Sequence, residues 1–239
     1  MADKMSRRSK TLMPSHAQLP LRLSLSTRQT FDNFLPGRNA AAKTALCNLA
    51  ESGGPAVFLW GGTHTGKSHL LRAAVQHKRH RGEQATIVPA SLLLDPSHIE
   101  LIDTFMFLSI DDVHHLAGNR QGEERLFEWI NRLRETGTDF ALASQIAPND
   151  PKWQLPDLVS RLNWGYVWRL QEANRDEALA IFVDKACQRG LKLERPVMTW
   201  LQRRLPGDLK FLLQLLDNID AASLSTRRKV TVPLLKSLL

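Results

Sequence analysis

With 239 residues, 43% of them hydrophobic and 23% charged, the chain is globular in composition and long enough to bury one substantial core beside a smaller one. It has no apolar run of the roughly 18–20 residues that span a bilayer and no apolar stretch behind its basic start that would make a secretory signal; its two cysteines, Cys47 and Cys187, lack metal or CxxC spacing, which fits a reducing cytoplasm. The net charge of +8 suits nucleic acid or an acidic protein as partner but decides nothing, because basic tails also serve solubility.

In chain order, residues 1 to about 17 lack periodicity and carry Lys4, Arg7, Arg8 and Lys10, which reads as a disordered basic tail. Gln18-Leu19-Pro20-Leu21-Arg22-Leu23 follows. Pro20 favours an extended backbone there, with leucines free to enter apolar pockets and Gln18 free to hydrogen-bond. From Thr30 onward, apolar runs at 56–60, 85–90, 106–110, 139–144 and 166–170 read as strands, and the stretches around 39–51, 67–80, 122–135 and 157–163 read as helices. That alternation predicts an α/β fold, a parallel sheet with helices on both faces.

After Leu170 the strands stop. Residues 174–189, 196–205, 208–224 and 231–238 all read as helix. In the third, Leu209, Leu212, Leu213, Leu216 and Ile219 make one apolar stripe, and Asp208 is placed to cap its first turn. The expected organisation is a flexible segment over 1–29, an α/β nucleotide-binding core over 30–170 and a small all-helical lid over 171–239.

Gly61-Gly62-Thr63-His64-Thr65-Gly66-Lys67-Ser68 is a full G-x-x-x-x-G-K-S phosphate loop. It stands between a predicted strand and a predicted helix, the context that makes the motif specific. Successive backbone N–H groups of such a loop turn inward around phosphate oxygens, and the following helix, beginning with Lys67, Ser68 and His69, adds a favourable dipole. Lys67 brings positive charge to the terminal phosphates and Ser68 a hydroxyl for Mg²⁺. The motif implies ATP or ADP with Mg²⁺ as ligand. Met106-Phe107-Leu108-Ser109-Ile110-Asp111-Asp112 ends a buried strand in two carboxylates. Asp111 is the expected Mg²⁺ partner, and Asp112 is placed to polarise an attacking water. Ser144-Gln145, at the end of another strand, reads equally as a γ-phosphate sensor or as plain loop.

With these residues in place, the chain resembles the AAA+ ATPases and, among them, the bacterial replication initiator DnaA. Thr30-Phe31-Asp32-Asn33-Phe34 with Gly37-Arg38-Asn39 is similar to the segment leading into the initiator's adenine pocket. Residues 110–118 resemble its acidic block, and Ser160-Arg161-Leu162-Asn163-Trp164-Gly165 its arginine-finger block. The resemblance implies Arg161 as a finger acting in trans and Lys210 as the second sensor, where the family has arginine. Lysine lacks the planar fork that holds two phosphate oxygens, and Gln145 replaces an acidic residue, so slow intrinsic hydrolysis with ADP as resident ligand is expected. Residues 18–23 are similar to the peptide by which bacterial proteins dock on the sliding clamp of DNA polymerase III, with proline third and arginine fifth as departures. The initiator's helix-turn-helix domain is not expected before Leu239.

Together these features lead to one expectation. The chain is a cytoplasmic, replisome-associated regulator that binds adenine nucleotide, docks on the DNA-loaded clamp, touches DNA indirectly and stimulates ATP hydrolysis by DnaA, preventing re-initiation. It acts as an activator of a partner ATPase rather than an efficient ATPase itself, and homo-oligomerisation is left open. Two alternatives stay open: an autonomous AAA+ ATPase such as a helicase loader, and a nucleotide-switched DNA-binding regulator.

Overall fold

The computed structural model describes residues 29–204, 207–226 and 230–237. Five strands, β1 (Val57–Trp60), β2 (Ala85–Pro89), β3 (Phe107–Asp111), β4 (Asp139–Ser144) and β5 (Tyr166–Arg169), form one parallel sheet in the order β2-β3-β4-β1-β5. The helices of this part are α1 (Ala40–Ser52), α2 (Lys67–His80), α3 (Arg120–Glu135) and α4 (Pro156–Leu162). β3 and β4 are buried along most of their length, as expected of central strands covered on both faces.

One apolar cluster packs α1 and α2 against one face through Leu46, Leu70, Leu71 and Phe107. A second packs α3 and α4 against the other through Phe58, Leu126, Trp129 and Leu158. Each fully buried Leu or Phe contributes roughly 1.5–3 kcal/mol of transfer free energy. The helical remainder, α5 (Arg175–Gln188), α6 (Arg195–Arg204), α7 (Leu209–Thr226) and α8 (Val232–Ser237), has a third cluster of its own around Phe182, Leu201, Leu212 and Leu216.

The predicted strands and helices recur within about two residues of their expected ends. α5 begins on a capping box, in which Asn174 and Glu177 bond each other's backbone N–H. Asp208 caps α7 by accepting from Lys210 N–H at 2.8 Å. The region between β2 and β3 holds two 3₁₀ segments, Ala90–Leu94 and Pro96–Thr104, that the sequence reading left without structure.

Register aligns the carboxyl ends of the strands. Trp60 pairs with Ser144, Pro89 pairs with Asp111, and Gly61 N–H donates to Ser144 O at 3.3 Å. The phosphate-loop sequence, the paired aspartates and Gln145 therefore emerge at one edge of the sheet, where open α/β sheets hold ligands.

Candidate functional site

The loop after β1 turns into α2 at Gly66, whose φ of +97° is left-handed; a Cβ there would come within 2.6 Å of the Phe34 ring. Only glycine satisfies both demands. The Lys67 ammonium is buried inside the loop, donating to Gly61 O at 2.8 Å, Gly62 O at 2.6 Å and Thr65 Oγ1 at 3.4 Å. Burial pushes its pKa down, and Asp111 and Asp112 partly oppose that. A phosphate oxygen would compete with the two carbonyls for this cation. The first turn of α2 holds no acidic side chain, so the dipole at its N-terminus is not offset.

Asp111 ends β3 and is buried, its Oδ1 accepting the N–H of Asp112 at 3.0 Å. Asp112 follows in a left-handed conformation (φ 58°, ψ 37°) that few non-glycine residues adopt. This places the second carboxylate at the cavity wall, half exposed, with His114 Nδ1 3.9 Å away. His114 is itself pushed below the usual histidine range, chiefly by burial.

A cavity of about 410 Å³ lies between the sheet edge and the C-terminal helices. Thr63, His64, Thr65, Gly66, Lys67, Ser68, His69, Asp112 and Gln145 line one side. Glu177, Ile181, Lys185, Leu209 and Leu213 line the other, and Phe34 and Gly37-Arg38-Asn39 close the end. The volume is in the range of small-molecule sites. His69 meets the Phe34 ring edge-on at 5.3 Å, and its Nε2 lies 2.9 Å from Thr30 O. A carbonyl only accepts, so Nε2 carries the hydrogen.

The seam is pinned from the core side. Asn39 Nδ2 donates to Gln171 O at 3.0 Å, and Gln171 N–H returns a bond to Asn39 Oδ1 at 2.8 Å. Arg38 donates to Glu172 O and lies 3.7 Å from Glu177.

The structure thus gathers residues 63–69 and Asp112 at one cavity. Gly61 and Gly62 form the near half of the loop beside an adjoining recess with Trp60, Arg169 and Gln171. Asp111 is behind the wall. Lys210 is exposed on α7 and is not among the cavity-lining residues; Leu209 and Leu213 of the same helix are. Arg161, in the last turn of α4, is also outside the cavity, with its guanidinium over Trp164. Gln18 to Leu23 lies outside the described residues.

Sequence reasoning singled out neither Lys185 nor the lining role of Leu209 and Leu213. The leucine stripe of α7 was visible, but its division between the helical core and the cavity depends on packing. Among the described residues no cluster of three or more His, Cys, Asp or Glu fits a metal ion, and no helix is long and apolar enough to cross a membrane.

A parallel β2-β3-β4-β1-β5 sheet with a phosphate loop after β1, two carboxylates after β3 and a helical cap defines the AAA+ class of P-loop folds. Solved structures agree. Domain III of the Thermotoga maritima replication initiation protein DnaA superposes with a TM-score of 0.78 at 23% identity, covering 88% of this chain and 95% of that one. DnaA from Aquifex aeolicus, bound to AMPPCP, gives 0.66 at 23% identity, with 83% and 67% covered. The Thermotoga maritima RuvB Holliday junction branch migration motor gives 0.66 at 17%, with 89% and 72% covered. Family models narrow this further: residues 25–91 match the bacterial DnaA ATPase domain, and residues 175–239 match the model described as Hda, lid domain. The chain is an AAA+ protein related to DnaA and Hda.

Proposed function

We propose that this chain is an adenine-nucleotide-binding regulator of replication initiation of the Hda type, which stimulates ATP hydrolysis by DnaA while tethered to the DNA-loaded sliding clamp. Nucleotide occupies the cavity, its phosphates on residues 61–68 and its base toward Phe34 and His69. Ser68 and Asp111 are the residues that would hold Mg²⁺, which when bound neutralises phosphate charge. ADP is the resident ligand, and the chain from 171 onward acts as the lid. Gln18 to Leu23 supplies the clamp contact, and tethering raises local concentration without demanding tight pairwise affinity. The location that follows is the cytoplasm, at the replisome.

The observation that carries this reading is the separation of two functions on one chain. The phosphate loop from Thr63 onward, the Asp112 carboxylate and a lid face line one cavity, while Arg161 lies outside it. An arginine that does not reach its own chain's nucleotide site is available to a neighbour's, and an arginine supplied in trans is worth on the order of 10³–10⁵ in phosphoryl-transfer rate. Lys210 is likewise off the cavity, which supports slow hydrolysis of the chain's own nucleotide.

The test combines clamp pull-down with hydrolysis of DnaA-bound ATP. Wild type is expected to be retained by DNA-loaded clamp and to accelerate hydrolysis. Gln18→Ala with Leu21→Ala loses retention, and Arg161→Ala loses acceleration while keeping ADP and clamp binding. Rapid nucleic-acid-stimulated turnover by the chain alone would replace this reading with an autonomous motor. Salt-sensitive binding to naked DNA without clamp would replace it with a DNA-binding regulator.

A further inference from the structure

Arg161 stands in the last turn of α4, and Trp164, three residues on and just past the end of the helix, brings its ring beneath the Arg161 side chain. The Arg161 guanidinium carbon is 3.4 Å from the centroid of the Trp164 ring and 5.5 Å from that of Phe127. Arg134, from the last turn of α3, lies over the same indole at 3.7 Å. Among the described residues Arg161 forms no ion pair; its charge is met by aromatic faces. A tryptophan left 45% exposed suggests a stacking platform for a nucleic-acid base, but here two cations already lie over the ring.

The backbone under the ring is tied to its neighbours. Trp164 N–H donates to Arg161 O at 3.2 Å, and Tyr166 N–H donates to Ala56 O at 2.8 Å. Between them Gly165 presses on the start of β1 so closely that a Cβ would come within 1.9 Å of Ala56 O. The indole is therefore an exposed surface tied to α4 by its own N–H and to the residue before β1 through Gly165 and Tyr166.

An unrestrained arginine samples many rotamers and loses that freedom when it docks. An exposed cation–π contact is weak, yet strong enough to bias a rotamer. From this we infer that Trp164 is a positioning residue for Arg161. It holds the guanidinium outside the chain's own cavity in the rotamer with which it meets a phosphate on a neighbouring chain, so that its rotamer freedom is already lost before phosphoryl transfer. The inference rests on the role of Arg161 proposed above.

Two measurements on the full chain test it. In ¹⁵N-arginine NMR the ring should shift the side-chain signals of both Arg161 and Arg134; the one that vanishes in Arg161→Ala is thereby assigned, and it should return to the ordinary range in Trp164→Ala. In the clamp-dependent assay with DnaA, Trp164→Ala should lower the maximal stimulated rate about fivefold. Half-saturation and ADP affinity should be unchanged, because the contact is the same before and after each binding step. Trp164→Phe should restore most of the rate. Trp164→Leu, which keeps apolar bulk without the ring, should stay slow even where it restores thermal stability. A missing ring-shifted signal, or Trp164→Leu at the wild-type rate, overturns the inference. So does Trp164→Ala at the wild-type rate beside an inactive Arg161→Ala, an outcome that leaves the proposed function standing. Arg161→Ala at the wild-type rate sinks both.

Discussion

His69 is held neutral by its surroundings. Burial, opposed only in part by the bond to Thr30 O, pushes its pKa from 6.5 to about 4, and Lys185, Arg72 and Lys43 add to the downward shift. The folded protein therefore refuses a proton that the unfolded chain accepts below about pH 6.5. Stability rises with pH wherever the unfolded state binds more protons. His69 thus withdraws stability as pH falls from 6.5 toward 4 and withdraws no more below that. The window corresponds to a loss on the order of 3 kcal/mol. In urea titrations the stability difference between wild type and His69→Asn should shrink by that order between pH 7 and pH 4.5. Parallel decline of the two proteins would rule the account out. The sequence placed His69 at the nucleotide loop, but its neutrality depends on burial beside parts of the chain distant in sequence, the Phe34 ring among them, which no local pattern reports.

Among the elements, α3 depends on a single buried acid. Glu123, in its first turn and fully buried, accepts from Gly118 N–H at 2.8 Å, from Gln154 N–H at 2.9 Å and from Leu155 N–H at 2.7 Å. It fastens the helix start to the turn before it and to the loop that leads into α4, the helix bearing Arg161. Glu123→Ala leaves three backbone donors without their acceptor and should cost roughly 3 kcal/mol or more. Glu123→Gln, which keeps one oxygen, should cost less than half of that. Urea denaturation measures both, and an Ala variant within 0.5 kcal/mol of wild type would refute the anchoring role. From sequence, Glu123 is one of several charges on an amphipathic helix, and nothing in the spacing marks it as the buried one.

The same contrast runs through the other elements. β3 was legible as a short continuous apolar run, the mark of a strand covered on both faces, and α7 because its apolar residues recur at a period of 3.6. The segment from Ala90 to Thr104 was not, because Pro89 and Pro96 break it and its short 3₁₀ turns bury Leu93 and Ile102 without a regular repeat. The phosphate loop was legible to the residue, since backbone geometry fixes where its glycines and lysine must stand. Lys210 was placed by family likeness alone, and the rotation of α7 that turns Leu209 and Leu213 toward the cavity leaves it outside.

At the scale of the molecule, sheet and helical cap meet at the cavity and along a few polar contacts from Arg38 and Asn39 to the 171–177 segment. Partly exposed hydrogen bonds of this kind contribute about 1 kcal/mol each, too little to make the seam rigid by themselves. The apolar cluster of the cap is separate from the two that cover the sheet, so a ligand touching Lys67 and His69 on one side and Leu209 and Leu213 on the other would be the main coupling between them. ADP at one hundred times its Kd would then add about 2.7 kcal/mol, raising the melting temperature by about 5–10 °C for a chain of this length. Lys67→Ala should abolish that rise. Amide exchange distinguishes coupling from mere occupancy. With ADP, slowing should appear in α2 and, together with it, in α5 and α7. Protection confined to residues 61–75 would mean that nucleotide fills the loop without fixing the cap, and a regulator whose nucleotide does not set the angle between its two parts cannot use ADP to choose where Arg161 is presented.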